Sequence, residues 1–192
     1  MEMHDTTSLH RLFYALLLPP SLLDAIAALT TTLRDADGGH DVRWTSAENL
    51  HITLRFLGEV DTRKRVRAAE LLREAVMPER IVLRVGRLDA FPSLRRPSVI
   101  VLGVRDEEEG LREAWRMADT FADALGIPPE ERAFRPHITL GRVRRGRTIG
   151  AELGSELQSR TIDLHSFAAQ GIALMESSLL LSGARYEIVE RR

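Results

Sequence analysis

The sequence predicts an α+β domain built on antiparallel sheets, and three observations carry that expectation. Short segments rich in β-branched and aromatic residues are mixed with amphipathic helices, without the strict strand–helix–strand rhythm that a parallel sheet requires. No glycine-rich phosphate loop follows a predicted strand, which removes the doubly wound nucleotide folds. The tetrapeptide His51-Ile52-Thr53-Leu54 recurs as His137-Ile138-Thr139-Leu140, so two strands of one design lie far apart in the chain.

The elements follow in order. Arg11 to Leu18 reads as a short buried strand, and Pro19-Pro20 leads into an amphipathic helix from Ser21 to about Asp35, with Ser21 as N-cap and Asp24 three residues on. The same region imitates a secretion signal, with Arg11, an apolar run and Ala25-Ile26-Ala27. Glu2 and Asp5 stand where basic residues belong, however, and the prolines interrupt the run. Asp37-Gly38-Gly39 is a loop. Asn49 to Leu57 is a strand ending at Gly58, and Asp61 caps a helix running to about Val76, before Pro78. Strands follow at Ile81 to Val85 and Ser98 to Val104, with Ala90 to Pro97 between them as a loop. Asp106 to Glu109 suits a helix N-terminus. The helix behind it places Leu111, Trp115, Ala118, Ala122 and Leu125 on one face and ends at Gly126, which makes Trp115 a core residue rather than a stacking platform. Pro136 to Val143 is the second histidine strand, followed by a short helix near Ala151 to Gln158. Strands around Thr161 to Phe167 and Gly171 to Glu176, and a hairpin through Ser182-Gly183, close the chain.

Composition bounds the function. A length of 192 residues suits one domain, or two small lobes folded around one cleft. The formal net charge of −1 gives no bulk attraction for nucleic acid, so any basic surface is local. Lys64 is the only lysine; nearly all positive charge is arginine, whose planar fork suits phosphate. The absence of cysteine removes disulfides, thiolate nucleophiles and cysteine-ligated zinc, and agrees with a cytoplasmic setting. No apolar run approaches membrane-spanning length.

Random ordering of this composition would yield two His-apolar-Thr-apolar matches in on the order of one chain in several hundred. The repeat therefore calls for a chemical reason. Alternate residues of a strand share a face, so His51 and Thr53 point one way while Ile52 and Leu54 enter a core, and His137 and Thr139 repeat the pattern. Two such strands across a cleft present two imidazoles and two hydroxyls to one small ligand. Cleaving a phosphodiester without metal needs a base to activate water and an acid for the leaving oxygen. Two imidazoles divide those tasks near neutral pH, while hydroxyls donate to the non-bridging oxygens. A zinc site of His51, His137 and His165 is the competing reading; it lacks a neighbouring carboxylate pattern and leaves the threonines unused. His4, His10 and His40 fall in tails or loops and read as bystanders.

The chain resembles the two-histidine phosphoesterase superfamily, and within it the bacterial and archaeal RNA 2′,3′-cyclic phosphodiesterases, historically called 2′–5′ RNA ligases. The resemblance is carried by Arg11 to Ala15 with Leu18-Pro19, Arg43-Trp44, Glu48 to Val60, Phe91-Pro92, Phe134 to Arg142, and Leu174 to Ser177. It implies a single bilobal domain over residues 1–192, with two pseudo-symmetric lobes of antiparallel sheet backed by helices and an active-site cleft between them. It also implies hydrolysis of a 2′,3′-cyclic phosphate to a 2′-phosphate without metal, nucleotide or other cofactor. By resemblance His51 and His137 carry the acid–base work, Thr53 and Thr139 contact phosphate, and Phe56 and Arg142 line the substrate site. Arg135 and Arg55 are further phosphate or RNA contacts, and Arg142, Arg144, Arg145 and Arg147 form a basic cluster that either guides RNA or is simply solvated. Expected partners are RNA ends or small cyclic nucleotides, with no membrane and no metal, and the expected state is a monomer. Alternatives are other cyclic nucleotides as substrate, 2′–5′ RNA joining, and a non-catalytic RNA-end-binding module. One geometric tension stands: Phe56 and Arg142 lie five residues after each histidine, and an odd spacing in a plain strand turns them to the opposite face, where Phe56 reads equally as a core residue. A bulge at Gly141 would re-aim Arg142.

Overall fold

A computed structural model describes residues 8–38, 41–160, 162, 166–180 and 183–192. His4, His40, His165 and Ser182 lie outside the described residues. Among the described residues nine strands pair antiparallel in the order β7-β4-β5-β6-β3-β1-β8-β9, with β2 added on β6. They are β1 (Leu9–Leu16), β2 (Val42–Trp44), β3 (Ile52–Asp61), β4 (Val82–Ser93), β5 (Arg96–Asp106), β6 (His137–Val143), β7 (Phe167–Ala168), β8 (Ile172–Leu180) and β9 (Gly183–Arg191). The helices are α1 (Pro20–Ala36), α2 (Thr62–Glu74), α3 (Gly110–Ala124) and α4 (Ala151–Ser159). None of the described helices is long and apolar enough to cross a membrane.

The sheet divides where β3 meets β6, because these two strands pair only at Ile52 and Ile138. One lobe holds β3, β1, β8 and β9 with α2 and α3 against it; the other holds β7, β4, β5, β6 and β2 with α1 and α4. The seam thus joins the residue after each repeated histidine. Both isoleucines are fully buried, and the histidines beside them stand on the opposite face.

Local chemistry explains the helix starts. Asp61 accepts a hydrogen bond from the Lys64 amide at 2.8 Å and caps α2. Pro20, with its preset φ, opens α1 after Pro19, so the helix begins one residue before the expected Ser21 cap. Asp106 accepts from the amides of Leu111 and Arg112 and secures the first turn of α3.

Two expectations are corrected. The stretch Ala90 to Pro97 is not a loop: it forms the end of the β4–β5 hairpin, with Pro92 opposite Pro97. Proline is tolerated there because β7 pairs only Val82 and Leu83 of β4, and β6 reaches β5 no further than Val99, which leaves both outer edges open. His10 is not in a tail or loop either. It lies in β1, with Nδ1 at 2.7 Å from Glu176 and Nε2 at 3.3 Å from Thr62, on the helix side of the sheet and away from the cleft.

The main core lies under the helices, around Leu12, Tyr14, Ile52, Ile100, Ile138 and Leu174. Tyr14 donates its hydroxyl to the Ala68 carbonyl at 2.9 Å, tying β1 to α2. Phe13, Ala15, Ala173 and Met175 form a smaller cluster on the other face of the same strands, which becomes one wall of the cleft.

Candidate active site

Each histidine is held by the same local device. The His51 Nδ1–H donates to the Asn49 carbonyl at 2.8 Å, and the His137 Nδ1–H donates to the Arg135 carbonyl at 2.7 Å. A carbonyl only accepts, so Nδ1 carries the proton in both rings and Nε2 is left as the nitrogen that gains or loses one. The pattern is a backbone carbonyl two residues before each histidine, so the sequence repeat extends upstream as geometry where the residue types differ.

The two rings line one enclosed cleft of about 180 Å³ together with Thr53, Thr139, Phe56 and Arg142, and with Arg11, Phe13, Thr45, Asn49, Ser177 and Tyr186. Thr53 Oγ1 lies 3.2 Å from His51 Nε2 and donates to it when the ring is neutral. Phe13 and Tyr186 pack on His51 with ring centroids 4.9 and 5.1 Å away, and Phe91 packs edge-on against His137 at 5.0 Å. Phe13, Tyr186 and Phe91 were not among the sequence candidates. For Phe13 a signal existed: Arg11 and Phe13 alternate with the core residues Leu12 and Tyr14, which puts them on the other face.

The register explains how Phe56 and Arg142 reach the cleft despite their odd spacing. On β3, Arg55 pairs with Tyr14 and Thr53 with Ala15, leaving Leu54 as an extra residue. On β6, Gly141 pairs with Ile100 and Thr139 with Val101, leaving Leu140 extra. Both repeats therefore carry a bulge at the leucine of His-Ile-Thr-Leu, and each bulge flips the alternation so that Phe56 and Arg142 return to the histidine face. Glycine is not required for this, since Arg55 takes the place after the first bulge. Gly141 serves a different need: a Cβ there would lie 2.6 Å from Val42 Cγ1, inside the close approach of β2.

Arg55 is the sequence candidate that the structure moves elsewhere. The same bulge turns it inward, where it is 3% exposed; Nε donates to Asp119 at 2.8 Å, Nη1 lies 3.2 Å from Glu130, and Nη2 donates to the Pro128 carbonyl. It ties β3 to α3 and to the segment after that helix. Arg135 stands outside the catalytic cleft, with its guanidinium 4.8 Å from the centroid of the Phe91 ring. Arg144, Arg145 and Arg147 are exposed on the loop that follows β6.

The electrostatics favour neutral rings in the free cleft. Burial lowers the His51 pKa to about 4, opposed by the hydrogen bond to Asn49 and reinforced by His137 and Arg142. Burial also lowers that of His137, opposed by the Arg135 carbonyl and reinforced by Arg142 and Arg135. An anion placed between the rings acts with the opposite sign and favours the imidazolium. Among the described residues no group of three or more His, Asp or Glu side chains is arranged to hold a metal ion.

Known proteins share this architecture. The family described as LigT like Phosphoesterase matches twice, over residues 16–101 and 102–186, so each match contains one His-x-Thr strand. A protein of Methanothermobacter thermautotrophicus named RNA 2′,3′-cyclic phosphodiesterase is 32% identical over 183 residues, covering 94% of this chain and 96% of that one. One of the same name from Aeropyrum pernix is 31% identical over 157 residues, covering 81% and 89%. Among solved structures, TT0787 of Thermus thermophilus superposes with a TM-score of 0.76 at 25% identity, covering 94% of this chain and 96% of that one. Escherichia coli LigT complexed with 3′-AMP superposes at 0.72 with 28% identity, covering 96% and 98%. With two matched repeats, a shared fold and a paired-histidine cleft at their seam, the chain belongs to the LigT-like family of two-histidine phosphoesterases.

Proposed function

We propose that this protein is a metal-independent RNA 2′,3′-cyclic phosphodiesterase that opens the cyclic phosphate at an RNA end to a 2′-phosphate. The observation that carries the reading is the pair of imidazoles, each with Nδ1 committed to a backbone carbonyl, lining one cleft with two threonines. Relatives of that name over most of the chain support the substrate class. The chain acts as one bilobal unit, as a monomer and in the cytoplasm.

The chemistry follows from the two Nε2 atoms. Water attacks phosphorus while one neutral imidazole takes its proton, and the P–O3′ bond breaks as the other imidazolium protonates the 3′ oxygen. The two rings end with exchanged protonation, and the 2′ oxygen keeps the phosphate. In-line displacement requires base and acid on opposite sides of phosphorus, which suits histidines from the two lobes. Thr53 and Thr139 donate to the non-bridging oxygens. Following the family resemblance, His51 is the acid and His137 the base. The deciding experiment is incubation with a 2′,3′-cyclic phosphate in excess EDTA, followed by identification of the phosphate position. Turnover to a 2′-phosphate is expected; complete loss restored by zinc or manganese overturns the metal-independent route, and tight binding with no product leaves a binding module.

The lowered histidine pKa values set a pH signature. The working state holds one proton on the pair, and in the free cleft that proton is taken up only in the acid range, since burial depresses both rings. Bound phosphodiester carries a negative charge and raises both. The bell-shaped profile of kcat/KM, which reports the free enzyme, is therefore expected to peak below about pH 6.5, and that of kcat at higher pH. Superimposable profiles on one substrate contradict this account. Each limb belongs to the coupled pair rather than to one ring.

A further inference from the structure

A second, wider pocket of about 630 Å³ opens from the catalytic cleft on the β4–β5 side and shares Thr53, Phe56 and His137 with it. We propose that this pocket binds the nucleoside and phosphodiester preceding the cyclic end, so that the enzyme prefers an RNA end to a cyclic mononucleotide. The inference rests on the phosphodiesterase reading and names the part of the substrate that the catalytic cleft leaves unused.

Three aromatic side chains line the pocket: Phe56, Phe91 and Phe134. Phe56 is 49% exposed on the cleft face, while its neighbours Arg55 and Leu57 are buried on the other face. Phe134 is stiffened from behind by Trp115, with ring planes 8° apart and centroids 5.4 Å apart. Aromatic side chains are the type on which bases stack, and stacking accepts any base because each has a π-face. The volume falls in the range of small-ligand sites, and the catalytic cleft, at about 180 Å³, is the smaller of the two.

The charges divide in the same way. Arg11 and Arg142 line the catalytic cleft, where the cyclic phosphate goes. Arg132 and Arg135 line the second pocket instead. The Arg135 guanidinium carbon lies over the Phe91 ring, 4.8 Å from its centroid. Its ion pair with Asp89 is long, at 3.7 Å, and its side chain is 67% exposed. Glu130 also lines the pocket, but its carboxylate faces Arg55 at 3.2 Å. A cyclic mononucleotide has one phosphate, already placed between the histidines. An arginine beside that site, in a pocket lined by aromatic side chains, matches the next phosphodiester of an RNA chain and the base beyond it.

The test compares kcat/KM for three substrates: a 2′,3′-cyclic mononucleotide, the same nucleotide with a 5′-phosphate, and a dinucleotide with the cyclic end. The dinucleotide is expected to exceed the mononucleotide by about tenfold or more, with the 5′-phosphorylated form between them. Arg135→Ala is expected to remove the gain from the 5′-phosphate. Ser98→Trp, which fills the pocket from β5, is expected to remove the gain from the added nucleoside. The readout is the ratio of substrates within each variant, so a smaller folded fraction cancels. Equal rates on all three substrates, within about twofold, overturn the proposal. So does an Arg135→Ala loss of the same factor on mononucleotide and dinucleotide, which would place Arg135 at the terminal nucleotide. No turnover of any substrate overturns the phosphodiesterase reading itself.

Discussion

Replacing either cleft histidine by alanine is expected to reduce turnover of a 2′,3′-cyclic phosphate by about 10²-fold or more, the usual worth of a positioned general acid or base. Among the described residues no other imidazole and no carboxylate lines the cleft, and Asn49, Thr45, Ser177 and the threonines carry no group that titrates near neutrality. Thr53→Ala or Thr139→Ala should lose less, because each removes one hydrogen bond to charge, about 1.5–3 kcal/mol. A folded His137→Ala protein with near-normal steady-state kinetics would remove the two-histidine mechanism. An activated nitrophenyl phosphodiester separates the roles, provided its leaving group faces His51: losing the acid should then matter far less than losing the base. If His51→Ala and His137→Ala lose equally on that ester, the assignment of His51 as acid is wrong while the shared site stands.

The second large effect is on stability. Arg55→Ala is expected to destabilise the protein by about 3 kcal/mol, the low end for breaking a buried charged pair. Asp119 and Glu130 are 33% and 46% exposed and regain water when the guanidinium is lost, which limits the penalty. For a chain of this size the melting temperature should fall by roughly 10 °C. Thermal unfolding followed by circular dichroism measures this directly. Inorganic phosphate should inhibit the variant, at a temperature where it is folded, as well as it inhibits the wild type, since Arg55 faces the core and not the cleft. An unchanged melting temperature with weakened phosphate inhibition would return Arg55 to the substrate site.

Arg55 and Arg142 mark how far the sequence could be read. Both are arginines near a His-Ile-Thr-Leu strand, and composition treats them alike. In the folded chain one is 3% exposed beneath α3 and the other lines the cleft. The difference comes from the two leucine bulges, whose register depends on pairing with β1 and β5 and is invisible to strand alternation. The prolines misled for a similar reason. Their penalty in a strand holds where an outer neighbour needs the missing N–H, and only the sheet order shows that Pro92 and Pro97 lie beyond it.

By itself the sequence determined the α+β class with antiparallel pairing, the long helices, the Asp61 cap and the pairing of His51-x-Thr53 with His137-x-Thr139. All of these rest on local periodicity, capping chemistry or repetition, which need no knowledge of neighbours. The tertiary structure alone decided that the repeats meet at the Ile52–Ile138 seam, that Phe13, Tyr186 and Phe91 enclose the imidazoles, and that Arg135 stands over Phe91 outside the catalytic cleft. It also decided the acid shift of both histidines. That shift comes from water excluded by side chains distant in sequence, and burial of this kind exists only once the two lobes have closed on each other.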